Sequence, residues 1–185
     1  MTADIPQVAY DDIRPRLRTG DAIWTADASW LSKAIRWGTK SHVSHMGIIY
    51  RTAPFVLMLE SVKMGNVNGI GITRLSSKIQ YMQSLKGGRI FVGILSDDIR
   101  FGLDEAAMVS TMKALRGTRY DAWQAFWSWC KLPFRWQSPT RMFCSEAVAY
   151  TYSQHGVLSP SYPYSKATPQ DGWKWPVFQF RGEIA

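Results

Sequence analysis

Apolar and polar positions along this chain fall into blocks of two kinds, and the order of the blocks indicates a fold class. After a polar, basic start, Gly20-Asp21 leads into a short apolar run, Ala22-Ile23-Trp24, of strand character. Trp30, Leu31, Ile35 and Trp37 then recur at roughly helical spacing, which predicts a helix from Trp30 to about Gly38 with Asp27 or Ser29 as its N-cap. Three strand-like runs follow: His45 to Tyr50, Phe55 to Ser61, and Gly69 to Leu75. Their links, Arg51-Thr52-Ala53-Pro54 and the Gly/Asn-rich Lys63 to Asn68, are short enough for antiparallel hairpins.

Another strand, Arg89 to Leu95, precedes a helix expected from Leu103 to Arg116, ended by Gly117. Asp121 to Cys130 reads as a shorter aromatic helix that stops before Pro133, and Cys144 to His155 as a helix ended by Gly156. Strands gathered first and helices later predict an α+β domain, with an antiparallel sheet packed against helices. A parallel nucleotide-binding fold is not expected, because the phosphate-cradling glycine loop is missing from the sequence.

Composition bounds the size of that domain. With 185 residues, 46% hydrophobic and 19% charged, the chain suits one globular unit over residues 1–185 and excludes disorder, collagen and coiled coil. The longest apolar stretch, Ala53 to Leu59, is far short of the roughly 18 residues needed to cross a bilayer. The start, Met1 to Pro6, lacks the cationic and apolar regions of a secretory signal, so a cytoplasmic protein is expected, peripheral to a membrane or exported by a non-classical route at most.

The net charge of +8 favours an anionic partner. The basic residues are scattered, without a dense run or a recognisable nucleic-acid motif, which argues against nucleic acid and leaves an anionic membrane surface as the partner that the charge suits. Nine tryptophans, several between Trp123 and Trp129, supply core, groove or membrane-facing surface.

Two cysteines, Cys130 and Cys144, make no disulfide framework. Cys144 falls where a predicted helix begins, and the partial positive charge and free N–H groups of a helix N-terminus favour a thiolate and can hold an oxyanion. The plainer alternative is a buried cysteine acting as a small apolar side chain, and Cys130, at the end of an aromatic helix, fits that account.

A thiolate nucleophile needs a base, and there are three histidines. His155, at a helix C-terminus, complements the dipole there. His42 lies in the loop before a strand that His45 opens. Their three-residue spacing also suits a metal, but a third ligand would have to come from Cys144 or Glu60 and there is no second paired motif, so neither metal nor cofactor is expected. Hairpin arithmetic favours His45. If Arg51 to Pro54 is a symmetric four-residue loop, paired residue numbers add to 105 and His45 faces Glu60, whose carboxylate can then orient the imidazole. A one-residue slip would separate them onto opposite faces and leave Glu60 a solvated strand-end carboxylate.

In order, Gly20-Asp21, Ser44-His45-Met46-Gly47-Ile48-Ile49, Leu59-Glu60-Ser61, Gly69-Ile70, Gly117-Thr118-Arg119-Tyr120-Asp121, Phe143-Cys144-Ser145-Glu146-Ala147-Val148 and Thr168-Pro169-Gln170-Asp171 resemble the circularly permuted branch of the NlpC-type cysteine peptidase superfamily, the YiiX/YaeF-like group. The resemblance runs from about residue 18 to 175. It departs from the family at Met46, where valine is usual, and at Ala147, where leucine is usual; both are packing positions. It implies a papain-like fold, Cys144 as nucleophile, His45 as general base, Glu60 as the residue that orients it, and Tyr120 as a substrate-binding residue near the cleft. Glu146 braces the helix start on this reading.

The leading expectation is therefore a peptidase- or amidase-type cysteine hydrolase working through an acyl-enzyme on an acyl, peptide or lipid substrate. The alternatives are a lipid acyl hydrolase or acyltransferase at a membrane surface, since the superfamily includes lecithin:retinol acyltransferase-like proteins, and a non-catalytic ligand-binding module with the same fold.

Overall fold

The computed structural model describes residues 5–64, 67–115 and 143–185. Tyr120, Cys130 and the expected helix over Asp121 to Cys130 lie outside the described residues, as do Arg116 and Gly117.

Seven strands pair in one sheet: β1 (Gln7–Val8), β2 (Ala22–Ala26), β3 (His45–Thr52), β4 (Phe55–Met64), β5 (Val67–Arg74), β6 (Arg89–Leu95) and β7 (Phe178–Ile184). Their spatial order is β1-β7-β6-β2-β3-β4-β5. Every neighbouring pair is antiparallel except β1 with β7, which bears out the α+β class with one parallel exception at the edge. β2 lies between β3 and β6 and is buried along its whole length, so an unbroken Ala-Ile-Trp-Thr-Ala run suits it better than an alternating one.

The described helices are α1 (Tyr10–Ile13), α2 (Trp30–Thr39), α3 (Leu75–Ser84), α4 (Asp97–Phe101), α5 (Glu105–Ala114), α6 (Cys144–Gln154) and α7 (Pro169–Lys174). Ser29 caps α2, its side chain accepting the N–H of Ser32 at 3.2 Å. Asp27, the other candidate cap, instead accepts the N–H of Ser29 at 2.7 Å. α5 begins two residues later than expected because Asp104 is its cap, accepting from the N–H of Ala107. α6 ends at Gln154 with His155 as its C-cap, and Gly156 turns the chain at a φ of 71°.

The apolar side chains form two cores, one on each face of the sheet. Trp24, Met46, Ile48, Leu59 and Phe91 meet α5 and α6 on one side. Ile23, Ile49, Met58 and Val92 meet α1 and α3 on the other. Each strand thus alternates its apolar residues between two helical layers.

Several parts of the fold were not expected from the pattern: β1, α1, α4 and α7 are short elements outside the predicted ones, and most of the expected Lys63 to Asn68 link is paired strand, Met64 facing Val67. α3 follows β5 with no turn residue between them and no side-chain cap at Arg74, so the usual start signal is missing. The last strand, β7, was missed although Phe178, Phe180 and Ile184 alternate with polar Gln179, Arg181 and Glu183 as in a strand, and it pairs with β6 through a bulge at Ile94 and Leu95. The expected four-residue β3–β4 loop is a two-residue loop, because Thr52 and Phe55 are themselves paired.

Candidate active site

Cys144 begins α6 and is 4% exposed. Phe143 precedes it without a side-chain cap, so the amides of the first turn are not consumed by one, and the N–H groups of Ser145 and Met46 both donate to the sulfur. The helix is held at both ends. Ser145 Oγ donates to the Ala167 carbonyl at 2.8 Å, and Tyr152 donates its hydroxyl to the Gly20 carbonyl at 2.6 Å. Beside that glycine, Asp21 is fully buried, accepts the N–H groups of Arg18 and Leu95, and pairs with Arg100. Gly20-Asp21 is therefore a buried brace under the helix that carries Cys144.

His45 is the first residue of β3. The segment leading to it is fixed to the central strand by the Ser44 N–H, which donates to the Thr25 carbonyl at 2.9 Å, and to α2 by the hydroxyl of Ser32, which donates to that of Ser44 at 2.7 Å. The imidazole is hydrogen-bonded to Cys144 on one side and to Glu60 on the other, with Nε2 at 2.7 Å from Glu60 Oε2. Since Nε2 is taken by the carboxylate, Nδ1 is the nitrogen left for the sulfur.

Glu60 is 2% exposed, and it has a partner that the sequence reading missed. Lys78, on α3, donates Nζ to Glu60 Oε2 at 2.8 Å and to Oε1 at 3.1 Å. A signal for this was present. Leu75, Ile79 and Met82 are spaced as a buried helical stripe, and Lys78 falls within that stripe. An ammonium on such a face needs a buried anion beside it.

The electrostatics follow from these contacts. Burial disfavours charge on Glu60, but the imidazole and the ammonium outweigh it and bring the carboxyl down to about 2. Burial also disfavours the imidazolium of His45, yet Cys144 and Glu60 prevail and push it up to about 9. Burial raises the Cys144 thiol, while the charge and hydrogen bond of His45, with the two backbone N–H groups, bring it below its ordinary value. At neutral pH the arrangement favours a thiolate–imidazolium pair next to an ionised carboxylate.

The other two histidines have other roles. His42 packs edge-on against Trp173 at 4.4 Å and Phe91 at 5.2 Å between ring centroids, and takes no part in the cluster around Glu60. His155 bonds through Nε2 with Thr111 Oγ1 at 2.8 Å, as a helix-end residue. The structure thus brings Cys144, His45 and Glu60 together, while Tyr120 lies outside the described residues.

No family model and no curated protein matches the chain. Among solved structures it is similar to the metalloprotein YiiX of Escherichia coli O157:H7, at 22% identity and a TM-score of 0.61, over 91% of this chain and 96% of that one. The chain therefore has a YiiX-like α+β fold. No helix among the described residues is long and apolar enough to cross a membrane.

Proposed function

We propose that this protein is a cysteine hydrolase of the peptidase or amidase type, in the permuted NlpC-type superfamily, with Cys144, His45 and Glu60 as its triad. The observation that carries the reading is the continuous contact from the sulfur through the imidazole to a buried carboxylate, closed at 2.7 Å by His45 and Glu60. The Cys144 thiolate adds to the carbonyl carbon of an acyl substrate, and the first-turn N–H groups of α6 stabilise the oxyanion. The imidazolium of His45 gives its proton to the leaving amine or alcohol as the tetrahedral adduct collapses to a thioester. His45, now neutral, takes a proton from water as the water attacks the thioester. The acid product leaves, and the thiolate–imidazolium pair is restored. Glu60 keeps the imidazole oriented and its charge compensated throughout.

A resident metal does not suit these residues. Both oxygens of Glu60 already accept from an ammonium, which would repel a second cation.

A lipid acyl hydrolase or acyltransferase is the second reading, favoured by one surface. Trp30 and Trp37, seven residues apart on α2, are 75% and 86% exposed, and Lys33 and Lys40 are exposed beside them. Aromatic rings with interleaved lysines suit an anionic bilayer interface.

The test is an activity screen of wild type against Cys144→Ala over cell-wall peptides, lipid esters and isopeptide conjugates. Turnover of an amide that the variant loses supports the peptidase reading, and turnover confined to lipid esters supports the second. A folded wild type that binds substrates but turns none over would make the protein a binding module.

A further inference from the structure

Lys78 lies beyond the triad. Its ammonium reaches both oxygens of a carboxylate that is 2% exposed, and its own side chain is 13% exposed. An isolated buried charge is costly, and a chain of charges is tolerated when its members balance. Cys144 thiolate, His45 imidazolium and Glu60 carboxylate together carry a net charge of minus one. The ammonium brings the four to zero.

Resting on the triad reading above, we propose that Lys78 is a positioning residue that closes the charge of the site: by neutralising and holding Glu60, it lets the thiolate and imidazolium coexist in a buried setting. Three layers of the fold meet here. Cys144 comes from α6, His45 and Glu60 from β3 and β4, and Lys78 from α3 on the other side of the sheet.

Among the described residues, Arg74 of β5 lies over the ring of Phe55 and Arg89 of β6 pairs with Glu183, so neither cation of the strands under α3 pairs with Glu60. On α6, Glu146 stands in the first turn, two residues after Cys144. On α5, Lys113 lies over the ring of Tyr50, and on α7, Asp171 is bound in the capping box with Thr168. Cys144 is acted on by His45, His45 by Cys144 and Glu60, and Glu60 by His45 and Lys78.

Without the ammonium, the site relieves its surplus negative charge by keeping a proton on the sulfur. The experiment is the pH dependence of Cys144 alkylation by iodoacetamide in the full chain, with the modified peptide identified by mass spectrometry. Lys78→Met should move the alkylation midpoint up by about one pH unit, so that modification at pH values below the wild-type midpoint slows about tenfold, and Lys78→Arg should restore most of it. The double variant Lys78→Met/Glu60→Gln removes one charge of each sign and should titrate closer to wild type than Lys78→Met alone.

A Lys78→Met protein that is folded by circular dichroism, with an unmoved midpoint, overturns the proposal, and so does a double variant shifted as far as the single. If Lys78→Met fails to fold, the double variant decides by the same comparison with wild type: a midpoint near the wild-type one supports charge closure, and a large upward shift overturns it. A wild-type Cys144 that titrates like an ordinary thiol overturns the nucleophile reading itself, which separates that failure from failure of the role given to Lys78.

Discussion

Glu60 stands across the ladder from Gly47, and it reaches His45 on the diagonal, two residues away. The two-residue β3–β4 loop makes paired numbers add to 107 where a four-residue loop would make them add to 105. A shift of two preserves the face of a pleated strand, so the imidazole and the carboxylate still meet. Gly47 leaves the space for that diagonal. A Cβ on it would lie 2.6 Å from Met58 Cε, 2.7 Å from the Leu59 carbonyl oxygen and 3.2 Å from Glu60 Cβ.

The histidine and carboxylate roles predict a graded mutant series. His45→Ala abolishes turnover. Glu60→Gln keeps a hydrogen-bonding group beside Nε2 and Lys78 and retains measurable activity, roughly one to two orders of magnitude below wild type. His42→Ala leaves turnover nearly intact but costs about 1–3 kcal/mol of stability, because its ring fills the space between Phe91 and Trp173. Steady-state kinetics and urea denaturation on the same preparations measure both quantities. An inactive His42→Ala protein that is as stable as wild type would sink this assignment.

The pH profile has a defined basic side. His45 must be protonated to release the leaving group, and its pKa stands at about 9, so kcat/KM falls as pH rises through about 9. The acid side belongs to protonation of Cys144, since Glu60 stays ionised down to about 2. Stability follows the same two groups with opposite signs. The raised pKa of His45 contributes stability that is present below its ordinary 6.5 and is lost as pH climbs through about 9. The depressed pKa of Glu60 contributes stability that is present above its ordinary 4.5 and is lost as pH falls towards 2. Denaturant midpoints should therefore be lower at pH 10 than at pH 7, whereas on the acid side the loss from Glu60 is opposed by the buried Asp21, whose carboxyl is pushed up to about 6 by burial.

Asp21→Asn should be one of the more damaging polar substitutions away from the triad. It removes the negative charge that compensates Arg100 in a fully buried position, and it turns one acceptor oxygen into a donor facing other donors. The expected cost is about 3 kcal/mol, measured as a lower urea midpoint with an unchanged slope. A loss within about 0.5 kcal/mol would show that the brace is not coupled to folding.

The second functional reading stands or falls on α2. Vesicles containing anionic lipid should co-sediment with the wild-type chain at low salt under either reading, because the net charge is +8. If the protein works at a bilayer, part of the binding survives 0.5 M salt and is removed by Trp30→Ser/Trp37→Ser, since salt does not screen the apolar contact. Complete release of the wild type at high salt favours the soluble peptide or amide substrate.

The parts of the site that were legible in the sequence are those set by local rules. A helix start at Cys144 follows from the helical segment that ends at Gly156, and the α2 cap follows from the residue types at Asp27 and Ser29. The shared face of His45 and Glu60 follows from two-residue periodicity, which survives even a wrong loop length. Tertiary structure decided the rest. What His42 does depends on Trp173 and Phe91, which arrive from distant parts of the chain to pack against its ring. Lys78 becomes part of the site only because α3 packs across β4, and the burial of Asp21 only because β6 and α4 bring Leu95 and Arg100 to it. Periodicity fixes which face a residue takes along its own element, whereas the partner of a buried charge is set by which elements the fold stacks against that face, and that information is spread over the whole chain.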